Sequence, residues 1–559
     1  MRMRWKVVAS ALSLSLVAAA AVGPVTATAT KGKQPKKPSR VLIIVLDQML
    51  PEYVQRFGMR NVRSLMRTGV KFPRAIVGHM AATTVITHNV LTSGQLPKHM
   101  GWTNEVYRDT DDVLGQGAGA YHVTSSLGCG DFATLVEHAG YPKLEDYLST
   151  GGSDATFVSI GNKTTSSCPA GQPVEEGVDN DIIVRLGSSA TLDCDGTGAK
   201  SWRGPSGVNV PAYLSTLCGR FYVPVFDTFG TATTSPAWMY PADGARYITG
   251  NDPAHRGGDV WAADAAIEVM RNDPGWDGML VSMPAIDKTG HMWGTDDAGP
   301  SGVGDDVYDF AHLPKSAKIA DRQVGKLLDE LDTLGIAKET LVVLTTDHAG
   351  QTARRYHGLD GPDRGNFNWY YGEDADEVYK DPSPAIEGLV TALDGNVDFS
   401  YQDGHIGVWL NDRSGAKKRQ AARALADLPD VIATYARNGE RYAERTRSLA
   451  GATRVEKAWF RNHAQRLVNT MAAADGNGPD VVGLLRDHTS YGVEGDHGGH
   501  QKQIQRIPVV FHWPGLRSGA RPGVAIRSVD IMPTILRLMG IPSDPSHPMD
   551  GRRIALPNA

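Results

Sequence analysis

Four stretches of this chain set an aspartate, and in three cases a histidine, beside a short apolar run. Asp47 follows 41–46 directly. Asp287 stands beyond 279–283 after Pro284-Ala285-Ile286, with His291 four residues later. Asp347-His348 follow 341–346, and Gly495-Asp496-His497-Gly498-Gly499-His500 precedes 507–512. Singly, an aspartate after a strand is usually a helix cap or turn former, and a lone histidine a hydrogen-bonded loop residue. Four such elements at strand ends point elsewhere. Gathered in one crevice, these groups would repel one another and be poorly solvated unless metal ions neutralised them. Imidazole together with carboxylate suits Zn2+ better than Ca2+ or Mg2+.

A metal cluster needs a group to activate. Thr83 and Thr84 precede 85–91, a largely apolar stretch that reads as the start of a helix, with Gly94 just past its end. A threonine there ordinarily caps the helix. Its hydroxyl can also be coordinated and deprotonated, with the helix dipole favouring an anion. Spacing alone does not separate Thr83 from Thr84.

The elements that must position these groups are short apolar runs at 41–46, 156–160, 279–283, 341–346 and 507–512. They read as strands buried on both faces of a parallel sheet. Helical patterns lie between them, as at 317–334 with Ile319, Val324, Leu327, Leu328 and Leu331 on one stripe, and at 530–539. The alternation predicts an α/β fold with a doubly wound, mostly parallel sheet, whose strands' carboxyl ends converge on the ligand crevice. Two stretches fit this poorly. Residues 105–270, Gly-rich and carrying every cysteine, read as an insertion. Residues 395–485, with a strand-like 405–410 and a charged helical 415–428, read as a smaller subdomain in the C-terminal half.

The 559 residues are 41% hydrophobic and 21% charged, a folded composition without a repeat of solenoid length. A net charge of −5 provides no basic field for a nucleic-acid duplex. Residues 1–29 read as a cleaved secretory signal: Arg2, Arg4 and Lys6, an apolar stretch over 7–25, then Ala27-Thr28-Ala29. An uncleaved anchor is the alternative; the Ala/Ser richness and Gly23-Pro24 favour cleavage. Removing three positive charges would bring the mature chain near −8. Residues 30–40 read as a basic, proline-containing linker, and no later stretch is long and apolar enough to span a bilayer. Secretion or an extracytoplasmic location is therefore expected. In that setting Cys129, Cys168, Cys194 and Cys218 predict disulfides whose pairing is open.

Taken in order, the motifs resemble the alkaline phosphatase superfamily, most of all its nucleotide pyrophosphatase/phosphodiesterase (type I phosphodiesterase) branch and the threonine-nucleophile phosphatases. The resemblance is carried by strand–Asp47, Thr84-Val-Ile-Thr-His88 with Thr92-Ser93-Gly94, Pro97-x-His99, and Asn104 in Gly101-Trp-Thr-Asn104-Glu. It continues through Asp287-x3-His291-x2-Gly294, Asp347-His348 and His497-Gly498, over about 450 residues. It implies two Zn2+, one held by Asp47, Thr84, Asp347 and His348, the other by Asp287, His291 and His497. His500, three residues on, competes with His497 for that role. Thr84 rather than Thr83 keeps the family spacing and would be the nucleophile; Asn104 would donate to a phosphoryl oxygen. Two metals roughly 4 Å apart would clamp the attacking and leaving oxygens of an in-line displacement.

The departures sharpen the reading. No cysteine sits in the C-x-P-x-R frame of the arylsulfatases, and no serine stands at the nucleophile position. Lys163, in Ser159-Ile-Gly-Asn-Lys163-Thr-Thr165, matches the phosphate-binding lysine of threonine monoesterases, but Thr165 stands where they have arginine. A diester carries one charge fewer than a monoester and needs less clamping, so a small-molecule phosphodiester or nucleotide pyrophosphate is the expected substrate. Lys163 as a solvated loop residue is the bland alternative. A phosphomonoesterase is the second functional reading, with a phosphoryl transferase and a non-catalytic surface-binding protein behind it.

Overall fold

Residues 40–46 set the architecture because their alternate side chains face two different cores. A computed structural model describes residues 37–149, 155–161, 163–171, 182–186, 202–203, 211, 213–214, 258–296, 312–358, 370–371, 383–493 and 495–558. Residues 1–29, most of 30–40, Cys194, Cys218 and much of the glycine-rich part of 105–270 lie outside that set.

The central sheet is built from β1 (Arg40–Leu46), β2 (Val70–Lys71), β3 (Phe157–Gly161), β4 (Ile182–Leu186), β5 (Trp202–Arg203), β6 (Gly278–Met283) and β7 (Thr340–Thr345). The second sheet follows, with β8 (Tyr370–Tyr371), β9 (Val397–Gln402), β10 (His405–Leu410), β11 (Val431–Asn438), β12 (Arg441–Arg447) and β13 (Val481–Leu485); β14 (Val509–His512) then returns to the first. The helices that matter below are α1 (Thr84–Ser93), α2 (Cys129–Ala139), α3 (Thr164–Ala170), α4 (Gly258–Asn272), α5 (Ala285–Trp293), α6 (His312–Thr333) and α7 (Ile531–Met539).

The eight-stranded sheet runs β2-β14-β7-β1-β6-β3-β4-β5. Strands β7, β1, β6, β3 and β4 pair in parallel, so their carboxyl ends share one edge. On β1, Leu42, Ile44 and Leu46 pack with Trp261 of α4 and with Val324 and Leu327 of α6. Val41, Ile43 and Val45 pack with Phe511 and with Ile531 and Ile535 of α7. This doubly covered sheet is the expected one, and each buried Val, Leu or Ile contributes roughly 1.5–3 kcal/mol of transfer free energy.

Direction differs at β5, antiparallel to β4, and at one strand read from the sequence. The run 507–512 was expected to lie parallel, but β14 pairs antiparallel with β7, Val509 opposite Thr345. An apolar run encodes burial and not orientation. The reversal explains why the Asp496-His497 motif precedes its strand: the amino end of β14 lies at the edge where the other strands end.

The segment 105–270 supplies β3, β4 and β5 to the central sheet, together with a disulfide between Cys129, first residue of α2, and Cys168 in α3 (Cα–Cα 4.8 Å). Within 370–485 lies a six-stranded antiparallel sheet, ordered β8-β9-β10-β13-β11-β12. On β10, Ile406, Val408 and Leu410 face a core with Leu425, whereas Trp409 packs with Phe399 and Tyr401 on the opposite side. By the same alternation His405 shares the Trp409 side.

Candidate active site

Four neighbouring parallel strands deliver the chemistry. Asp47 follows β1, Asp347-His348 lie just past β7, Asp287 and His291 ride on α5 after β6, and Lys163 stands two residues past β3. Asp287 and His291, spaced i and i+4, lie on one helix face, with Asp287 Oδ1 3.1 Å from His291 Nε2. The main-chain N–H of Ala285 at the start of α5 donates to Asp259 at 3.0 Å, fixing the helix that presents both. His497 enters on Gly495–Asp496, which pairs with Gln351–Thr352.

The side chains converge. Asp47 Oδ1 lies 3.3 Å and Asp347 Oδ2 3.5 Å from His348 Nε2. His497 Nε2 is 3.9 Å from Asp287 Oδ1, and the His497 ring sits 4.0 Å from that of His348 and 5.0 Å from that of His291. Thr84 opens α1, and its Oγ1 lies 3.4 Å from His348 Nε2. Thr83 holds the N-cap position, and its hydroxyl makes no hydrogen bond. The structure thus separates two threonines that spacing could not.

Lys163 is no solvated loop residue. Its ammonium contacts Asp287 at 2.6 Å and Asp47 at 2.8 Å and lies 3.5 Å from Thr84 Oγ1. His500 packs edge-on against Phe460 at 5.7 Å, apart from the carboxylates, so His497 is the histidine of the cluster. Asn104 is buried beside His405, and its Oδ1 accepts the Glu105 N–H at 2.9 Å.

Electrostatics follow from crowding. Burial, reinforced by Asp287 and Asp347, pushes Asp47 up to about 7 against the pull of Lys163 and His348. Burial pushes Asp347 up to about 6. Burial also works against an ionised Asp287, but His291 and Lys163 outweigh it and hold its pKa well below the usual range. His348 is pushed down to about 4 and His497 well below its usual value, both mainly by burial, so both rings are neutral.

These residues fit metal ions. Asp47, Asp347 and His348 each offer a ligand atom, all within 4.8 Å of one another, and so do Asp287, His348 and His497. Of the three buried carboxylates, Asp47 and Asp287 share one ammonium, and Asp47 Oδ1 and Asp347 Oδ2 receive no hydrogen bond. That is a surplus of neutral imidazole and oxygen donors without counter-charge.

Sequence reasoning did not single out the supporting contacts. His88 Nδ1 donates to the Thr84 carbonyl (2.9 Å), its Nε2 meets Ser282 Oγ (2.9 Å), and the ring lies 3.6 Å from Asp347, tying α1 to β6 and to the cluster. Gln48, left-handed at φ 58°, points its main-chain N–H at Asp347 Oδ1 (3.3 Å). Glu105, pushed up to about 7 by burial, accepts the Tyr401 hydroxyl at 2.8 Å. Only the Thr84-x3-His88 spacing was a local signal for any of them.

A protein-family model described as type I phosphodiesterase/nucleotide pyrophosphatase matches residues 41–119 and 196–500, well over half of the chain. The chain belongs to that family. It is a phosphoric ester hydrolase, as the motif order implied. No curated protein sequence matches it significantly. Among solved structures it is similar to human ectonucleotide pyrophosphatase/phosphodiesterase 5 (TM-score 0.53, 10% identity, 92% of this chain and 97% of that one). The murine counterpart, an inactive threonine-to-alanine variant in complex with AMP, matches with TM-score 0.52 at 10% identity, over 92% and 97% of the two chains. Alkaline phosphatase PafA, in a variant substituted at a threonine, an asparagine, a lysine and an arginine, matches with TM-score 0.59 at 12% identity, over 92% and 98%. At such identities the likeness is one of fold, the alkaline phosphatase type. Among the described residues no helix is long and apolar enough to cross a membrane.

Proposed function

We propose that this protein is an exported phosphodiesterase or nucleotide pyrophosphatase that works through a phosphothreonine at Thr84, with two Zn2+ as cofactors. The observation that carries this is the position of Thr84 Oγ1, on the first turn of a helix and facing the junction of the two Asp/His groups. Asp47, Thr84, Asp347 and His348 would hold one ion and Asp287, His291 and His497 the other. Bound there, the ions supply charge neutralisation for the attacking and leaving oxygens.

The protein's own groups do the rest. The Lys163 ammonium, 3.5 Å from Thr84 Oγ1, favours the deprotonated hydroxyl and a phosphoryl oxygen beside it. Asn104 donates an amide N–H to another phosphoryl oxygen. Thr84 Oγ attacks phosphorus in line and the alcohol or nucleotide departs. Water then attacks the phosphothreonine, Thr84 Oγ leaves and regains a proton, and two inversions give net retention at phosphorus.

Among the described residues Lys163 is the one lysine or arginine whose charged group reaches these carboxylates. With Thr165 in place of a second cation, a singly charged diester is the better match. Lys163's place in the cluster and the likeness to PafA favour a phosphomonoesterase as the second reading. Rates on bis-p-nitrophenyl phosphate, thymidine p-nitrophenyl phosphate and p-nitrophenyl phosphate decide it. Faster diester turnover is expected, and a strong monoester preference overturns the choice.

Export is supported by the N-terminal pattern and by the Cys129–Cys168 bond. The proposed mature protein loses 1–29 and carries a linker over 30–40 and a catalytic domain over 41–559, with insertions near 105–270 and 395–485. N-terminal sequencing of secreted material should begin just after Ala29; a first residue within 1–29 would contradict the signal assignment.

A further inference from the structure

Asn104 is held by a buried hydrogen-bonding chain whose direction follows from donors and acceptors alone. The Glu105 main-chain N–H only donates, so the amide atom 2.9 Å from it is the oxygen, Oδ1. The amide nitrogen then faces His405, Nδ2 to Nε2 at 3.4 Å. An amide nitrogen only donates, so His405 Nε2 is the acceptor and the ring carries its proton on Nδ1. That nitrogen meets two acceptors, Asp403 Oδ1 at 2.5 Å and the Gly498 carbonyl at 3.2 Å. Asp403 is fixed in turn, because the His405 main-chain N–H donates to the same Oδ1 at 2.9 Å. Asn104, Asp403 and His405 are all buried.

We infer that His405 is a positioning residue for the phosphoryl-binding amide of Asn104, which rests on the role proposed for Asn104 above. Asp403 and the Gly498 carbonyl set the tautomer of His405. His405 Nε2 then takes one Nδ2 proton, and Glu105 N–H anchors Oδ1. The remaining Nδ2 proton is the one left for a phosphoryl oxygen. Gly498 adjoins His497, so one imidazole fixes the amide relative to the loop that brings His497 to the cluster. A preoriented donor of this kind strengthens most where charge develops in the transition state.

Two substitutions separate positioning from simple support. In His405→Gln an oxygen can stand where Nε2 stood and still accept from Asn104, while the contact to Asp403 is lost. In His405→Asn the polar atom stands near Nδ1, keeping the contact to Asp403 or Gly498 and losing the acceptor for Asn104. With zinc-loaded enzyme and bis-p-nitrophenyl phosphate, His405→Gln should stay within a few-fold of wild type in kcat/KM. His405→Asn should fall on the order of tenfold or more, a fraction of the about 10²–10³ carried by one oxyanion donor. In an Asn104→Ala background His405→Asn should cost nothing further, which also separates positioning from misfolding. If Asn104→Ala itself leaves kcat/KM unchanged, the reading of Asn104 fails and this inference with it. If Asn104→Ala is costly but His405→Asn matches or exceeds His405→Gln, or the losses add in the double variant, the inference alone is overturned.

Discussion

Two buried carboxylates show the difference between holding a fold and preparing a reaction. Asp480, beside the second sheet, is fully buried and surrounded by cations: Arg108 at 3.4 Å, Arg413 at 3.2 Å, Lys418 at 3.3 Å and Arg437 at 3.9 Å. It also accepts the Leu410 main-chain N–H at 3.1 Å. Asp47 is as deeply buried but shares one ammonium with Asp287, and its Oδ1 receives no hydrogen bond. Charge around Asp480 is compensated within the fold; charge around Asp47 is compensated only in part. A buried acid short of partners is costly, and that cost marks the site.

The comparison breaks most sharply at the nucleophile. Thr84→Ala should lower turnover of diesters by at least about 10³-fold while the melting temperature stays near wild type, because only a hydroxyl and its reaction are lost. Turnover within tenfold of wild type would remove Thr84 from the mechanism. Chelation of the wild-type protein should act as severely, with Zn2+ restoring more than Mg2+ or Ca2+; full activity in a metal-stripped sample contradicts the cofactor assignment.

Asp47→Asn and Asp480→Ala should then diverge. The first relieves repulsion, leaves the stripped protein as stable as wild type, and lowers activity by more than about 100-fold, beyond the usual cost of an outer-shell change. The second strands several buried cations and costs about 3–5 kcal/mol in denaturant melts, with turnover per folded molecule near wild type. Equal stability losses in the two variants would show that Asp47 and Asp480 are held in the same way. Reducing Cys129–Cys168 should cost about 2–4 kcal/mol in the same melts without changing kcat of the folded fraction.

The smallest effect is a proton count. Asp47 at about 7 and Asp347 at about 6 are largely or half protonated at pH 6, and both must ionise to bind a cation. His348 at about 4 is already neutral there and releases nothing. Zinc binding measured by calorimetry in buffers of different ionisation enthalpy should release about one proton more at pH 6 than at pH 8. In the stripped protein, protonated Asp47 stabilises the fold fully below pH 3.8, and that contribution is lost as pH rises through about 7. Proton release that is the same at both pH values would contradict the raised carboxylates.

Much of this was legible because its signals are local. Apolar runs ending at Asp47, Asp287 and Asp347 named the strands and the edge at which they meet, and i,i+4 spacing put Asp287 with His291. What was not legible depends on the chain folding back on itself. The direction of β14 needs its partner β7. The choice of Cys168 for Cys129 needs α2 beside α3. His405 read only as part of a strand, since its meeting with Asn104 joins residues some 300 positions apart.

In the function proposed above, Asp47, Asp287 and Asp347 prepare Thr84 for attack on phosphorus. Acid-quenching zinc-loaded enzyme during turnover of a diester, followed by peptide mass spectrometry, tests it most directly. A phosphoryl adduct on Thr84, present in wild type and absent in Thr84→Ala, is the predicted result. An adduct on another residue, or none under single-turnover conditions that give product with inverted configuration, would contradict it.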